Sequence, residues 1–252
     1  MSKIIFVTGT DTGVGKTLLT VLLLHHLRRL GVNALAMKPF CSGEPADVDL
    51  ICAVQGNELR REEVNPFWFP EPVAPLVAAR RHRQRIRLSQ VLGAIRRVES
   101  RCERLIIEGC GGLLVPLGAS FTVADVIAKL ACDVVVVGRN KLGTINHTLL
   151  TVEALRARRV NRVNVVLMGQ RMADSSAADN PPMLRESLGN VGVRPVPYLG
   201  VRAVEGTALK KNVIRIKKTL AWVSDPASFS ARSSERSRPE RRPKRLTEQK
   251  VR

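Results

Sequence analysis

A chain of 252 residues with 44% hydrophobic side chains can bury one substantial core, and two large domains are not expected. A formal net charge of +19 and a pI near 10.9 imply affinity for polyanions, whether nucleic acid, acidic lipid or phosphate-bearing ligands, without choosing among them. The five cysteines, Cys41, Cys52, Cys102, Cys110 and Cys132, are scattered and never form a C-x-x-C pair, which speaks against a disulfide framework and against a zinc site. They suit a reducing cytosol. The first apolar run is too short for a secretory leader and no later one reaches the length of a membrane span, so a cytoplasmic protein with no membrane partner is expected.

The chain opens on an apolar run at residues 4–7 and passes at once into Gly9-Thr10-Asp11-Thr12-Gly13-Val14-Gly15-Lys16-Thr17. A glycine-rich turn between a strand and an amphipathic helix lets successive backbone N–H groups face phosphate oxygens, with the helix N-terminus adding positive character. In such a cradle Lys16 reaches the β and γ phosphates and Thr17 ligates Mg²⁺. The spacing is a variant of the common form, because Gly9 stands six residues before Gly15 and Thr10 takes the usual first-glycine position. Apolar positions from Leu18 to Leu30 then follow helical periodicity, and Gly31 reads as the residue after the helix end.

Further apolar runs at 34–37, 105–107, 134–137, 163–168 and 193–196, with helical stretches between them, predict an α/β fold whose parallel sheet is covered by helices on both faces. Lys38 and Glu108 each follow one of these runs directly, at the strand ends where such sheets place ligands; an exposed structural lysine and a cap on a glycine turn are the lesser alternatives. Mg²⁺ asks for a carboxylate beside phosphate and water, and Glu108, leading into Gly109-Cys110-Gly111-Gly112, is the first candidate. Residues 65–75 hold four prolines and read as an ordered loop, and residues 80–87 form a basic segment, either a solvated helix entry or an anion site. From Ser224 onward the composition turns to Ser, Arg, Pro, Glu and Lys, which predicts a domain over 1–223 and a disordered basic tail over 224–252.

Four segments in order, G-T-D-T-G-V-G-K-T, K-P-F-C-S-G at 38–43, E-G-C-G-G at 108–112 and K-L-G-T-I-N-H at 141–147, resemble the dethiobiotin synthetase family over roughly residues 3–223. The resemblance implies a P-loop α/β homodimer that closes the ureido ring of dethiobiotin from 7,8-diaminopelargonate, CO₂ (bicarbonate) and ATP with Mg²⁺. It further implies that Gly13, Val14, Gly15, Lys16, Thr17 and Leu18 wrap the phosphates, that Thr17, Asp49 and Glu108 hold the metal, and that Lys38 and Lys16 act on the reacting groups. Asp47 lies two residues before Asp49 and is the alternative acidic ligand. Gly109, Cys110 and Gly111 would border the nucleotide, and Thr12 and Ser42 would lie beside the substrate. The start of the 141–147 segment, with Gly143, Thr144 and Asn146, would take the distant carboxylate, although Thr144 or Asn146 could simply cap a helix. His147 is read as a packing or interface residue.

Met168 stands where the family usually has an asparagine that reads the purine, which leaves base choice to Gln170 or to backbone contacts at Gly169 and around Pro197, Tyr198 and Leu199. A partition-type or cell-division-site ATPase shares the variant cradle, but it carries a signature lysine where this chain has Asp11. A nucleic-acid-binding protein would account for the basic excess, yet 4% aromatic residues offer few stacking platforms, so any such binding is expected to be weak and to run through the tail.

Overall fold

The computed structural model describes residues 3–229. In chain order its elements are β1 (Ile4–Gly9), α1 (Lys16–Arg29), β2 (Ala34–Met37), β3 (Phe40–Ser42), α2 (Ala46–Val54), α3 (Arg61–Val64), β4 (Phe67–Phe69), α4 (Pro75–Arg81), α5 (Leu88–Glu99) and β5 (Arg104–Glu108). These are followed by β6 (Pro116–Gly118), β7 (Phe121–Thr122), α6 (Val123–Leu130), β8 (Asp133–Arg139), α7 (Thr144–Arg156), β9 (Val163–Met168), α8 (Asn180–Leu188), β10 (Gly192–Val196), α9 (Gly206–Arg215) and α10 (Lys217–Ser224).

Six strands form one sheet in the order β10-β9-β8-β1-β5-β2, every pair parallel. β1 sits between β5 and β8, with Val7 opposite Glu108 on one side and Gly9 opposite Val137 on the other. That register brings the end of β1, the Glu108 carboxylate and the end of β8 to the same rim. All six residues of β1 and of β9 are buried, as they must be when helices cover both faces of a parallel sheet. α1 packs with α2, α9 and α10, whereas α5, α6, α7 and α8 follow one another in contact as a second group. Among the described residues no helix is long and apolar enough to cross a membrane, and all five cysteines are free thiols.

Two expectations are corrected by the fold. Residues 65–75 are not loop throughout, because Phe67–Phe69 pairs in parallel with Phe40–Ser42 and the Phe40 and Phe67 rings stack at 4.9 Å. Three aromatic residues favour a pleated, half-buried surface, and Pro66 and Pro70 lie just outside the strand, where a missing N–H costs nothing. The order also does not end at residue 223. Ser224 closes α10, residues Pro226–Phe229 form a 3₁₀ turn, and the Phe229 ring is buried. Arg104 donates to the Ser224 carbonyl, Arg162 to the Pro226 carbonyl at 3.3 Å, and Asn164 to the Ser228 hydroxyl at 2.9 Å. The disordered tail expected beyond this point lies outside the described residues.

Candidate active site

At the rim where the strands end, a cavity of about 570 Å³ opens between the glycine turn, the start of α2, the loop before α4 and the turn after β5. Gly13 and Gly15 stand at φ +68° and +103°, left-handed values that favour glycine and that turn the chain from β1 into α1. Gly15 is the residue before the first turn of α1, so Lys16 and Thr17 open the helix with their N–H groups toward the cavity.

Lys16 is buried, and its ammonium donates to the Asp11 carbonyl at 2.7 Å and to the Gly111 carbonyl at 2.8 Å, tying the turn after β1 to the turn after β5. Burial lowers its pKa, the charge of Lys38 lowers it further, and Glu108 opposes both. The Thr17 hydroxyl donates to Glu108 Oε1 at 2.7 Å. Lys38, carried out of β2, donates to the same Glu108 oxygen at 2.7 Å and pairs also with Asp47. Burial pulls the Lys38 pKa down, but the charges and hydrogen bonds of Glu108 and Asp47 outweigh it and hold the ammonium charged well above the usual lysine range.

Glu108 is 1% exposed, and its second oxygen, Oε2, is buried without a partner. An orphaned carboxylate oxygen beside a threonine hydroxyl and a second carboxylate is a hard-oxygen donor set that fits a divalent cation such as Mg²⁺. Among the described residues no group of three or more His, Cys, Asp or Glu could hold a metal, so phosphate and water oxygens would have to complete the coordination.

Asp49 is the residue the structure removes from this set. Its carboxylate lies 3.0 Å from Arg61 and it does not line the cavity, whereas Asp47 does. Both sit in the first turn of α2, and two residues apart on a helix is about 200° of rotation, so only one can face Lys38. Thr12, Gly13, Gly15, Leu18, Ser42, Cys110 and Gly111 line the cavity, the Ser42 hydroxyl being buried without a partner. Burial pushes the Cys110 thiol up, against the nearby charges of Lys38 and Lys16. Val14 is buried behind the turn, and Gly109 donates its N–H to the Val7 carbonyl at 2.9 Å; neither lines the cavity.

The remaining predicted residues fall in two neighbouring places. Gly143 and Thr144, opening α7, line a smaller recess of about 100 Å³ with Arg139, Lys141 and His147, while Asn146 is exposed and does not line it. The Thr144 hydroxyl is buried without a partner and so is not acting as the helix cap. On the other flank, a side chain at Gly15 would touch Met168 Cγ at 3.1 Å, which places the end of β9 against the cradle. Gly169 donates to the Val196 carbonyl at 2.7 Å, and the Tyr198 carbonyl accepts from Arg215; Pro197, Tyr198 and Leu199 do not line the main cavity. The sequence reading missed Arg139, whose signal was a charge directly after the apolar run of β8, and it missed the cavity wall at Pro72 to Pro75.

A glycine cradle ahead of α1, Lys16 and Thr17 at its base and a buried acid at the end of the adjacent parallel strand define a P-loop nucleotide-binding α/β protein. A family model described as an AAA domain matches residues 3–201. The ATP-dependent dethiobiotin synthetase BioD of Anaeromyxobacter sp. (strain Fw109-5) is 41% identical over 190 residues, covering 73% of this chain and 85% of that protein. The protein of the same name from Bacillus subtilis (strain 168) is 35% identical over 225 residues, covering 84% and 92%. The chain belongs to the dethiobiotin synthetase family. Among solved structures, the MinC:MinD cell division protein complex of Aquifex aeolicus shares the fold at a TM-score of 0.52 and 14% identity, covering 96% of this chain and 99% of that one.

Proposed function

We propose that this chain carries out the ATP-dependent closure of 7,8-diaminopelargonate with CO₂ to dethiobiotin, ADP and phosphate, and that it does so in the cavity around Lys38. One amine of the substrate adds to CO₂ and releases a proton, giving a carbamate. A carbamate oxygen attacks the γ-phosphorus as the bond to ADP breaks, and the product is a carbamic–phosphoric anhydride. The second amine attacks the carbonyl carbon, inorganic phosphate leaves, a proton is released and the ureido ring is closed.

Negative charge crowds both partners of the phosphoryl transfer, and the residues here supply fixed positive charge rather than a covalent nucleophile. Lys16 exchanges its two carbonyl partners for phosphate oxygens, and the amides of the cradle and the α1 N-terminus hold the triphosphate. Lys38, kept charged by Glu108 and Asp47, faces the carbamate, and Ser42 offers a hydroxyl beside it. Thr17, Glu108 and Asp47 would hold Mg²⁺, which would supply positive charge against the phosphates.

The observation that carries this reading is the buried carboxylate of Glu108, whose Oε1 accepts from both the Thr17 hydroxyl and the Lys38 ammonium while its Oε2 has no partner, because it joins a candidate metal-ligand set to a fixed positive charge. A second copy of the chain would complete the site against the open apolar recess of about 510 Å³ where Leu114 and Leu150 are 56% and 57% exposed. The substrate's distant carboxylate would then meet Gly143 and Thr144. Met168, closing the cradle's flank, leaves the nucleoside base to the backbone of Gly169 and to Gln170, so the chain should accept nucleoside triphosphates besides ATP. With free cysteines throughout its described residues, the protein suits a reducing cytosol.

The test is direct. Protein incubated with diaminopelargonate, bicarbonate, Mg²⁺ and each nucleoside triphosphate in turn should release phosphate and form the ring in equal amounts. Lys16→Ala should abolish both. Phosphate release indifferent to diaminopelargonate would discard the synthetase reading in favour of a plain ATPase.

A further inference from the structure

Arg139 ends β8 beside the cradle, half-buried, and no carboxylate pairs with it among the described residues. Its guanidinium instead donates to backbone carbonyls of the turn after β1: Nη2 to Thr12 O at 3.2 Å, and Nη2 and Nε to Gly13 O, each at 3.3 Å. We infer that Arg139 is a positioning residue for the triphosphate, holding the crest of the cradle so that its amides face the ligand.

The reasoning rests on peptide geometry. In a trans peptide the C=O and the following N–H point in opposite directions. Fixing the Thr12 and Gly13 carbonyls on the Arg139 side therefore turns the Gly13 and Val14 N–H groups to the other side. A guanidinium suits the task because its donors form a planar fork that can span two adjacent acceptors, which a single ammonium cannot do as well.

The base of this arm is itself fixed. The next residue, Asn140, is buried; its N–H donates to the Met168 carbonyl at 2.8 Å and its side chain donates to the Ala177 carbonyl at 2.9 Å and accepts from Asn180 at 3.1 Å. Met168 is the register partner of Arg139 across β8 and β9, and it packs on Gly15. One rung of the sheet thus holds the cradle at two points, Arg139 at Thr12 and Gly13 and Met168 at Gly15. A Cβ on Gly13 would stand 2.9 Å from Arg139 Nη2, so a side chain there would displace the guanidinium.

This inference rests on residues 9–17 being the nucleotide cradle, and the experiment separates the two ideas. Calorimetric Kd values for ATP are measured for the wild type, Arg139→Met and Arg139→Lys. Arg139→Met should weaken ATP about tenfold, the size expected for charge-assisted hydrogen bonds near the long end of their range. Arg139→Lys should recover part of the loss. Millimolar guanidinium added to Arg139→Met should tighten ATP binding, which a merely structural defect would not allow. Unchanged ATP affinity in Arg139→Met, or a loss that neither lysine nor guanidinium recovers, overturns the inference. Should Arg139→Met fail to fold, an Arg139→Lys variant with wild-type affinity does the same. A wild type that binds no nucleotide would instead remove the parent reading.

Discussion

One oxygen of Glu108, Oε1, accepts both from Lys38 Nζ and from Thr17 Oγ1 at 2.7 Å, so a strand-end lysine and a helix-start threonine share a single buried acceptor. Neither can be altered without disturbing the charge balance around the other. The ammonium of Lys38 is thereby kept in place by the same carboxylate that would serve the metal.

Replacing Lys38 with alanine should therefore lower kcat for ring closure by about a hundredfold or more, the scale of losing a preorganised charge opposite developing negative charge. Nucleotide binding belongs to the cradle and to Lys16, so the Kd for ATP should change by no more than about threefold. Single-turnover phosphate release beside equilibrium binding measures the two separately, and wild-type-like ring closure by Lys38→Ala would remove its assigned role.

Asp47 and Asp49 provide an internal control. Asp47→Asn loses a carboxylate that faces Lys38 and the cavity, and Mn²⁺ affinity in the presence of nucleotide should fall about tenfold. Asp49→Asn removes only an exposed ion pair with Arg61, worth about 0–1 kcal/mol, and activity should stay within about twofold. Electron paramagnetic resonance of bound Mn²⁺ reads the first change, and the reverse ranking would restore Asp49 as the ligand.

The start of α6 carries an acid-sensitive cap. Burial alone would raise the Asp125 pKa, but hydrogen bonds from the Thr122 hydroxyl and N–H, with Arg158, outweigh it and hold it below the usual aspartate value. A depressed carboxylate stabilises the fold above its unfolded pKa of about 3.9 and loses that contribution as pH falls through the folded value. Asp125→Asn should cost about 1 kcal/mol at neutral pH, with the gap from wild type closing below about pH 4. Urea unfolding across pH 3–7 tests it; a gap that persists at the acid end would mean that the charge is not involved.

Truncation tests the strap that follows α10. A chain ending at Val223 lacks the buried Phe229 ring, worth roughly 2 kcal/mol, and the Ser228 hydroxyl that meets Asn164. Compared with a chain ending at Phe229, its thermal midpoint should fall by roughly 5–10 °C. Equal midpoints would mean that the strap is ornamental.

The central sheet was legible because five of its six strands, all but β10, carry three or more consecutive apolar residues, and the cradle because its glycines, lysine and threonine have fixed spacing between a strand and a helix. Three features were hidden for physical reasons. β3 and β4 pair in parallel across an intervening stretch that contains two helices, and prolines crowd the second strand, so local pattern argued against it. The choice between Asp47 and Asp49 depends on the rotational phase of α2, which short polar stretches do not set. Arg139 acts on carbonyls up to 127 positions away in the chain, and backbone acceptors leave no trace in side-chain identity.

The strap also fixes where the polypeptide departs. Its anchors, Arg104, Arg162 and Asn164, stand where strands begin, and the nucleotide cradle stands where they finish. β9 has six residues, so at about 3.3 Å each the two rims are roughly 20 Å apart. A fluorophore or affinity handle joined after Phe229 thus begins a full sheet height from the phosphates, making that position a convenient attachment point for immobilised binding assays.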